Sequence, residues 1–160
     1  MSEEKAVSVG DILSTELVMN VRMYQQAQLR TLLMSDMQEL NACYKAKAYK
    51  ATLILAGSIL EAVLIDWLSE IKGKDFFSEE FMVKDRYTNK IKRADLIDYI
   101  NEIKYIKRPD WAVQAQEAHS IRKKRNLVHA KLCINNDEIN ETVCRQVIEY
   151  LQNVLRTRGV

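Results

Sequence analysis

From Asp11 to about Tyr44 the apolar residues recur in steps of three and four: Ile12, Leu13, Leu17, Val21 and Tyr24, then Leu29, Leu32, Leu33, Met37 and Leu40. That is the spacing of a helix with one buried face. It predicts either one helix or two, with a break near residues 20–24. Residues 45–72 carry the strongest helical pattern, and TLILAGSILEAVLIDWL (52–68) is apolar almost all round, as befits the central helix of a bundle. A membrane span is the competing reading. The run is near the lower length limit for crossing a bilayer, and an acidic residue such as Glu61 or Asp66 near mid-membrane costs ~2.5–3.5 kcal/mol on insertion scales. A buried core helix is therefore expected.

Gly73 closes that helix, and KGKDFFSEEFMVKDRYTNK is a long connection with room for a short helix around 78–83. KRADLIDYINEIKYI then places Leu96, Ile97, Ile100, Ile103 and Ile106 at helical spacing. Pro109 ends it, Asp110 can cap the next helix, and that helix should run to about Leu132. INNDE is a turn offering Asn136 or Asp137 as a cap, and Val143, Val147, Ile148, Leu151, Val154 and Leu155 outline the last helix. Five or six helices and no evident strand predict an all-α, single-domain bundle over residues 10–158, with residues 1–9 as a flexible leader.

Four glycines and one proline in 160 residues supply too little turn chemistry for a sandwich or barrel, which reinforces that reading. The length suits one domain with one core. Net charge is only +2, from 24 basic and 22 acidic residues, so the total does not imply a nucleic-acid binder. The positive charge is unevenly spread, gathering at 84–93, 104–108 and 122–125. Cys43, Cys133 and Cys144 are widely spaced and read as small, mostly buried residues of a reducing compartment. The start, MSEEKAVSVGD, has no apolar secretory core, and a cytoplasmic location with no membrane partner is the expectation.

The candidate chemistry lies in HSIRKKRNLVHA, residues 119–130, which holds both histidines of the chain and four consecutive basic residues. On a continuous helix, Arg122, Arg125 and His129 share a stripe about 60° wide, with Asn126 on its flank, while Lys123 and Lys124 point elsewhere. A solvated basic face is the plain explanation; a phosphate-handling site is the sharper one. Glu61 bears on the choice, because a carboxylate inside an apolar run needs a partner. An arginine of the 122–129 stripe is the expected one, its guanidinium then oriented for an anion. His119 lies about 80° around the helix from His129 and is expected to be dispensable.

The apolar helix ILAGSILEAVLIDWL, followed by IRKKRNLVHA and a closing helix, resembles the HEPN superfamily over roughly residues 45–157. That family's motif is an arginine, commonly followed by a polar residue, four to six positions before a histidine. Arg122 has the spacing to His129 but is followed by Lys123; Arg125 is followed by Asn126 but stands closer. Both arginines remain candidates, with Arg125 preferred.

The resemblance implies a metal-independent endoribonuclease of phage-defence, toxin–antitoxin or RNA-processing systems, acting as a homodimer whose two histidine-bearing helices form one cleft. His129 would take the proton of a ribose 2′-OH, as imidazole can near neutrality. Arg125 or Arg122 would stabilise the charge growing on the phosphorane. Glu61 and Asn126 would support them. No metal or other cofactor is implied, and no ligand cluster stands out in the sequence. RNA and a cognate antitoxin or nucleotidyltransferase-like protein are the implied partners. The alternative is a non-catalytic HEPN module serving dimerisation, antitoxin pairing or nucleotide binding; a plain helical scaffold is the third reading.

Overall fold

The computed structural model describes residues 10–22, 26–106, 109–129 and 139–159. These form an all-α bundle of five described helices: α1 (Leu29–Lys45), α2 (Tyr49–Lys72), α3 (Leu96–Ile106), α4 (Ala112–Asn126) and α5 (Glu141–Arg158). A small antiparallel hairpin, β1 (Met82–Lys84) with β2 (Ile91–Arg93), sits between α2 and α3. The expected leader, residues 1–9, lies outside the described residues, as do Cys133, Asn136 and Asp137.

Helix α2 is the axis of the bundle. It packs against α1, α3, α4 and α5, and buries Leu53, Ala56, Ile59, Leu60, Val63, Leu64 and Leu68. It is the one described helix long and apolar enough to cross a membrane, yet most of its apolar stretch is buried inside the bundle. Gly73 ends it in the left-handed conformation (φ 64°), which a side chain would resist, and the N–H groups of Gly73 and Lys74 return to the Ser69 carbonyl. Three residues join α1 to α2, so the two run antiparallel. The Trp67–Trp111 edge contact, with centroids 4.8 Å apart, and the seat of Arg125 on Gly57 set α4 antiparallel to α2. Helix α5 runs the same way as α2, from the Cys144 thiol near the Tyr49 carbonyl to Arg158 at Asp66.

Four expectations need correcting. Residues 11–22 form no α-helix; they hold a 3₁₀ turn, Thr15–Asn20, flanked by irregular chain. Leu13, Val18 and Val21 are still fully buried. Asn41, itself buried, accepts from the Leu13 N–H (2.8 Å) and donates to its carbonyl (2.9 Å), replacing the hydrogen bonds a helix would have made. The short helix expected around 78–83 is replaced by the hairpin. There Asp85 folds the turn and Asn89 takes the left-handed conformation (φ 56°) that asparagine tolerates. Helix α4 begins one residue later than expected, after a 3₁₀ turn at Pro109–Trp111 with Trp111 in the cap position, and stops at Asn126 rather than near Leu132. Helix α5 is capped by Asn140, whose side chain accepts from the Val143 N–H at 3.0 Å.

Candidate nucleic-acid interface

Helix α4 presents its buried face, Ala115, Ala118 and Ile121, to the core and leaves Arg122, Lys124, Arg125 and Asn126 half-buried. Three basic residues in its last turn complement the negative end of the helix dipole, a stabilising effect of ~0.3–1 kcal/mol each. That accounts for positive charge at this end of the helix, but not for the seating of Arg125. Its side chain lies directly over Gly57 of α2: a methyl group added at Gly57 would stand 2.6 Å from the Arg125 Cγ. The glycine provides a notch that brings the arginine stem against the central helix.

Four other arginines are neutralised. Arg22 pairs with Glu70, Arg93 with Glu80, Arg145 with Glu141, and Arg158 with Asp66 and Glu70. Arg122 and Arg125 have no carboxylate partner among the described residues, and the buried Arg122 Nε has no hydrogen-bond partner there. Glu61 is half-buried and forms no ion pair or hydrogen bond with either, which corrects the expected pairing. Its charge is felt instead at the Tyr99 hydroxyl, which is held above its ordinary range first by burial and then by Glu61, with Arg93 opposing.

The acid of α2 that is buried and paired is Asp66. It is fully enclosed, accepts from Arg158 Nη2 at 2.8 Å and from the Arg22 backbone N–H at 3.3 Å, and Arg158 is itself only 1% exposed. Sequence reasoning missed this pair, although Asp66 lies in the same apolar run as Glu61.

His129 is exposed and lies beyond the end of α4. The N–H groups of Leu127, Val128 and His129 bond to carbonyls three residues back, so the chain leaves the helix in a 3₁₀-like turn. Residues three apart eclipse in that geometry. The turn that carries His129 is therefore tighter than a continuing α-helix would be.

The histidine that faces an arginine is His119, one turn before Arg122. Its Nε2 is 3.1 Å from the Asn101 Oδ1 of α3. A neutral His119 that donates to this oxygen through its Nε2–H leaves Nδ1 as an acceptor. Burial, then the charges of Arg122, Lys104 and Lys123, hold this imidazole below its ordinary pKa. Nothing in the sequence announced the Asn101 contact, which depends on how α3 lies across α4.

Cavities among the described residues include one of about 650 Å³ beside Gln26, Leu29, Leu32 and Phe77 and one of about 790 Å³ among Ile12, Tyr44, Tyr49, Glu141 and Arg145. Neither is lined by α4. Among the described residues no three His, Cys, Asp or Glu side chains gather as metal ligands. No family model, curated protein or solved structure matches the chain.

Proposed function

We propose that the carboxyl end of α4 is an RNA phosphodiester site and that the protein is a metal-independent endoribonuclease of HEPN type, working as a homodimer in a defence or toxin–antitoxin setting. The observation that carries this reading is the pair Arg122 and Arg125, one helical turn apart and without a carboxylate partner among the described residues, with the exposed His129 four residues beyond Arg125. A guanidinium without a carboxylate partner, its stem fixed in a glycine notch, suits a phosphate oxygen in fork geometry. In this reading His129 takes the 2′-OH proton, Arg125 holds the phosphorane with Arg122 beside it, and Asn126 and Glu61 shape the surface. The products are a 2′,3′-cyclic phosphate and a 5′-hydroxyl.

The test is incubation of the purified protein with total RNA and tRNA in EDTA, beside His129→Ala. Cleavage should persist in EDTA and fall ~10²–10⁴-fold in the variant, as for loss of a positioned base. Cleavage that needs a metal, or that survives His129→Ala, sinks the mechanism; survival in His129→Ala with loss in His119→Ala moves the base to the His119–Asn101 pair. Light scattering should give a dimer mass. The 3₁₀-like turn that carries His129 past the end of α4 favours one second reading, a non-catalytic HEPN-like module for dimerisation, antitoxin pairing or nucleotide binding. Tight RNA or nucleotide binding without cleavage would select it.

A further inference from the structure

The β1–β2 hairpin has features that packing does not explain. Its strands pair Met82 with Arg93, Val83 with Lys92 and Lys84 with Ile91. Val83 and Lys92 are half-buried on the side facing the body, while the other four residues are exposed. Lys92 is tied to Asp95 and Asp98, and Arg93 to Glu80, so two of the basic residues anchor the hairpin's base. Lys84, Arg86 and Lys90 form no ion pair among the described residues.

The one acid between these three cations is Asp85, and its Oδ1 is occupied within the turn. It accepts from the Tyr87 N–H (2.9 Å), the Thr88 N–H (2.8 Å) and the Thr88 hydroxyl (3.1 Å). The Asp85 N–H closes the loop on the Lys90 carbonyl at 2.8 Å, and Asn89 returns to the Asp85 carbonyl. The Thr88 and Tyr87 amides hold the Asp85 carboxyl below its ordinary range, so the turn keeps its shape at neutral pH. At the tip of this fixed turn stands Tyr87, 95% exposed.

We propose that this hairpin is a binding element for single-stranded nucleic acid, with Tyr87 stacking on an unpaired base and Lys84, Arg86 and Lys90 holding the flanking phosphates. An aromatic ring with open faces takes any base that is free of its neighbours, and closely set cations supply the backbone contact. A duplex keeps its bases stacked on each other and offers the ring nothing. The preformed turn limits the ordering that binding requires. This site is distinct from the basic end of α4 and stands whether or not α4 cleaves RNA.

The experiment is an anisotropy titration of the full chain with fluorescein-labelled oligodeoxythymidylate, which lacks the 2′-OH that cleavage at α4 would require. Tyr87→Ala should weaken binding about fivefold to a hundredfold, matching the usual loss of one stacked base. Tyr87→Phe should retain the affinity. A Lys84→Gln, Arg86→Gln, Lys90→Gln triple variant should flatten the dependence of log affinity on log salt by about two, since each neutralised phosphate of a single strand adds ~0.7 to that slope. All four positions are outside the core, and unchanged melting curves verify the fold.

Because a strand without 2′-OH groups is bound and not cleaved, the titration separates this inference from the nuclease reading. Equal affinity for the single strand and its duplex, or a Tyr87→Ala variant that binds like the unaltered chain, overturns the proposal. So does Tyr87-dependent binding to phosphatidylserine–phosphatidylcholine vesicles without oligonucleotide binding, since the hairpin would then be a membrane contact.

Discussion

Replacing Arg158 by methionine removes the cation from the most deeply buried ion pair described in the protein. Asp66 is 0% exposed and cannot rehydrate without opening the bundle. It would keep the Arg22 backbone N–H at 3.3 Å, a weaker contact than the 2.8 Å bond to the guanidinium. Removing one partner of a buried ion pair destabilises a fold by ~3–5 kcal/mol. Glu70, the other partner of Arg158, retains Arg22 and is 31% exposed, so its share is small. At ~2–4 °C per kcal/mol for a chain of this size, the melting temperature should fall by roughly 6–20 °C.

Urea unfolding measures the free energy, and an Asp66→Leu, Arg158→Met double variant provides the decisive comparison. With both charges gone, the double variant should be more stable than Arg158→Met alone, because a hydrophobic replacement of a buried pair is often neutral or better. A loss below about 0.5 kcal/mol in Arg158→Met, or a double variant no more stable than the single, would refute the buried-pair reasoning. Glu61→Gln is the internal contrast. Glu61 lies in the same helix but has no ion partner among the described residues, so the change should stay within about 0.5 kcal/mol.

The same network predicts acid sensitivity. Burial alone would raise the Glu70 carboxyl, but the hydrogen bond and charge of Arg158, helped by Arg22, hold it below 4.5. Its contribution is complete above that value and is lost as pH falls through the lowered folded value; Arg158→Met should diminish that slope in stability-versus-pH melts. His119 is also depressed in the folded state, below 6.5, so its contribution is present above 6.5 and is lost as acid protonates it. His119→Gln should flatten that part of the curve, and the His119 ring resonances should titrate below pH 6.5 by NMR. Gly57→Ala should displace Arg125 by steric overlap, with ~1–3 kcal/mol of overpacking partly offset by ~1 kcal/mol of helix propensity. Its RNA affinity should resemble that of Arg125→Ala; an unchanged affinity would show that the notch does not position the guanidinium.

Helix α2, its glycine stop, α3 and α5 were legible in the sequence because each is long enough for its own apolar period to speak, and because Gly73 carries its own backbone preference. The hairpin left a signal in Asp85 and Asn89, but strands of three residues are too short for alternation to compete with helical spacing. Residues 11–22 show the opposite failure. Their apolar spacing suits a helix, yet Asn41, distant in sequence, takes over the hydrogen bonds of Leu13.

The candidate site divides in the same way. Local sequence put Arg122 and Arg125 one turn apart on a helix, and they are. The setting of His129 depended on where α4 ends, and there the backbone changes from four-residue to three-residue hydrogen bonds. Glu61 and Asp66 illustrate the limit most directly: they lie five residues apart in one apolar run, about 140° apart around the helix. Periodicity places both acids in the core helix but cannot say which side α5 will cover. Only the arrival of Arg158, ninety-two residues later in the chain, makes Asp66 the buried, paired acid and leaves Glu61 at the half-exposed edge.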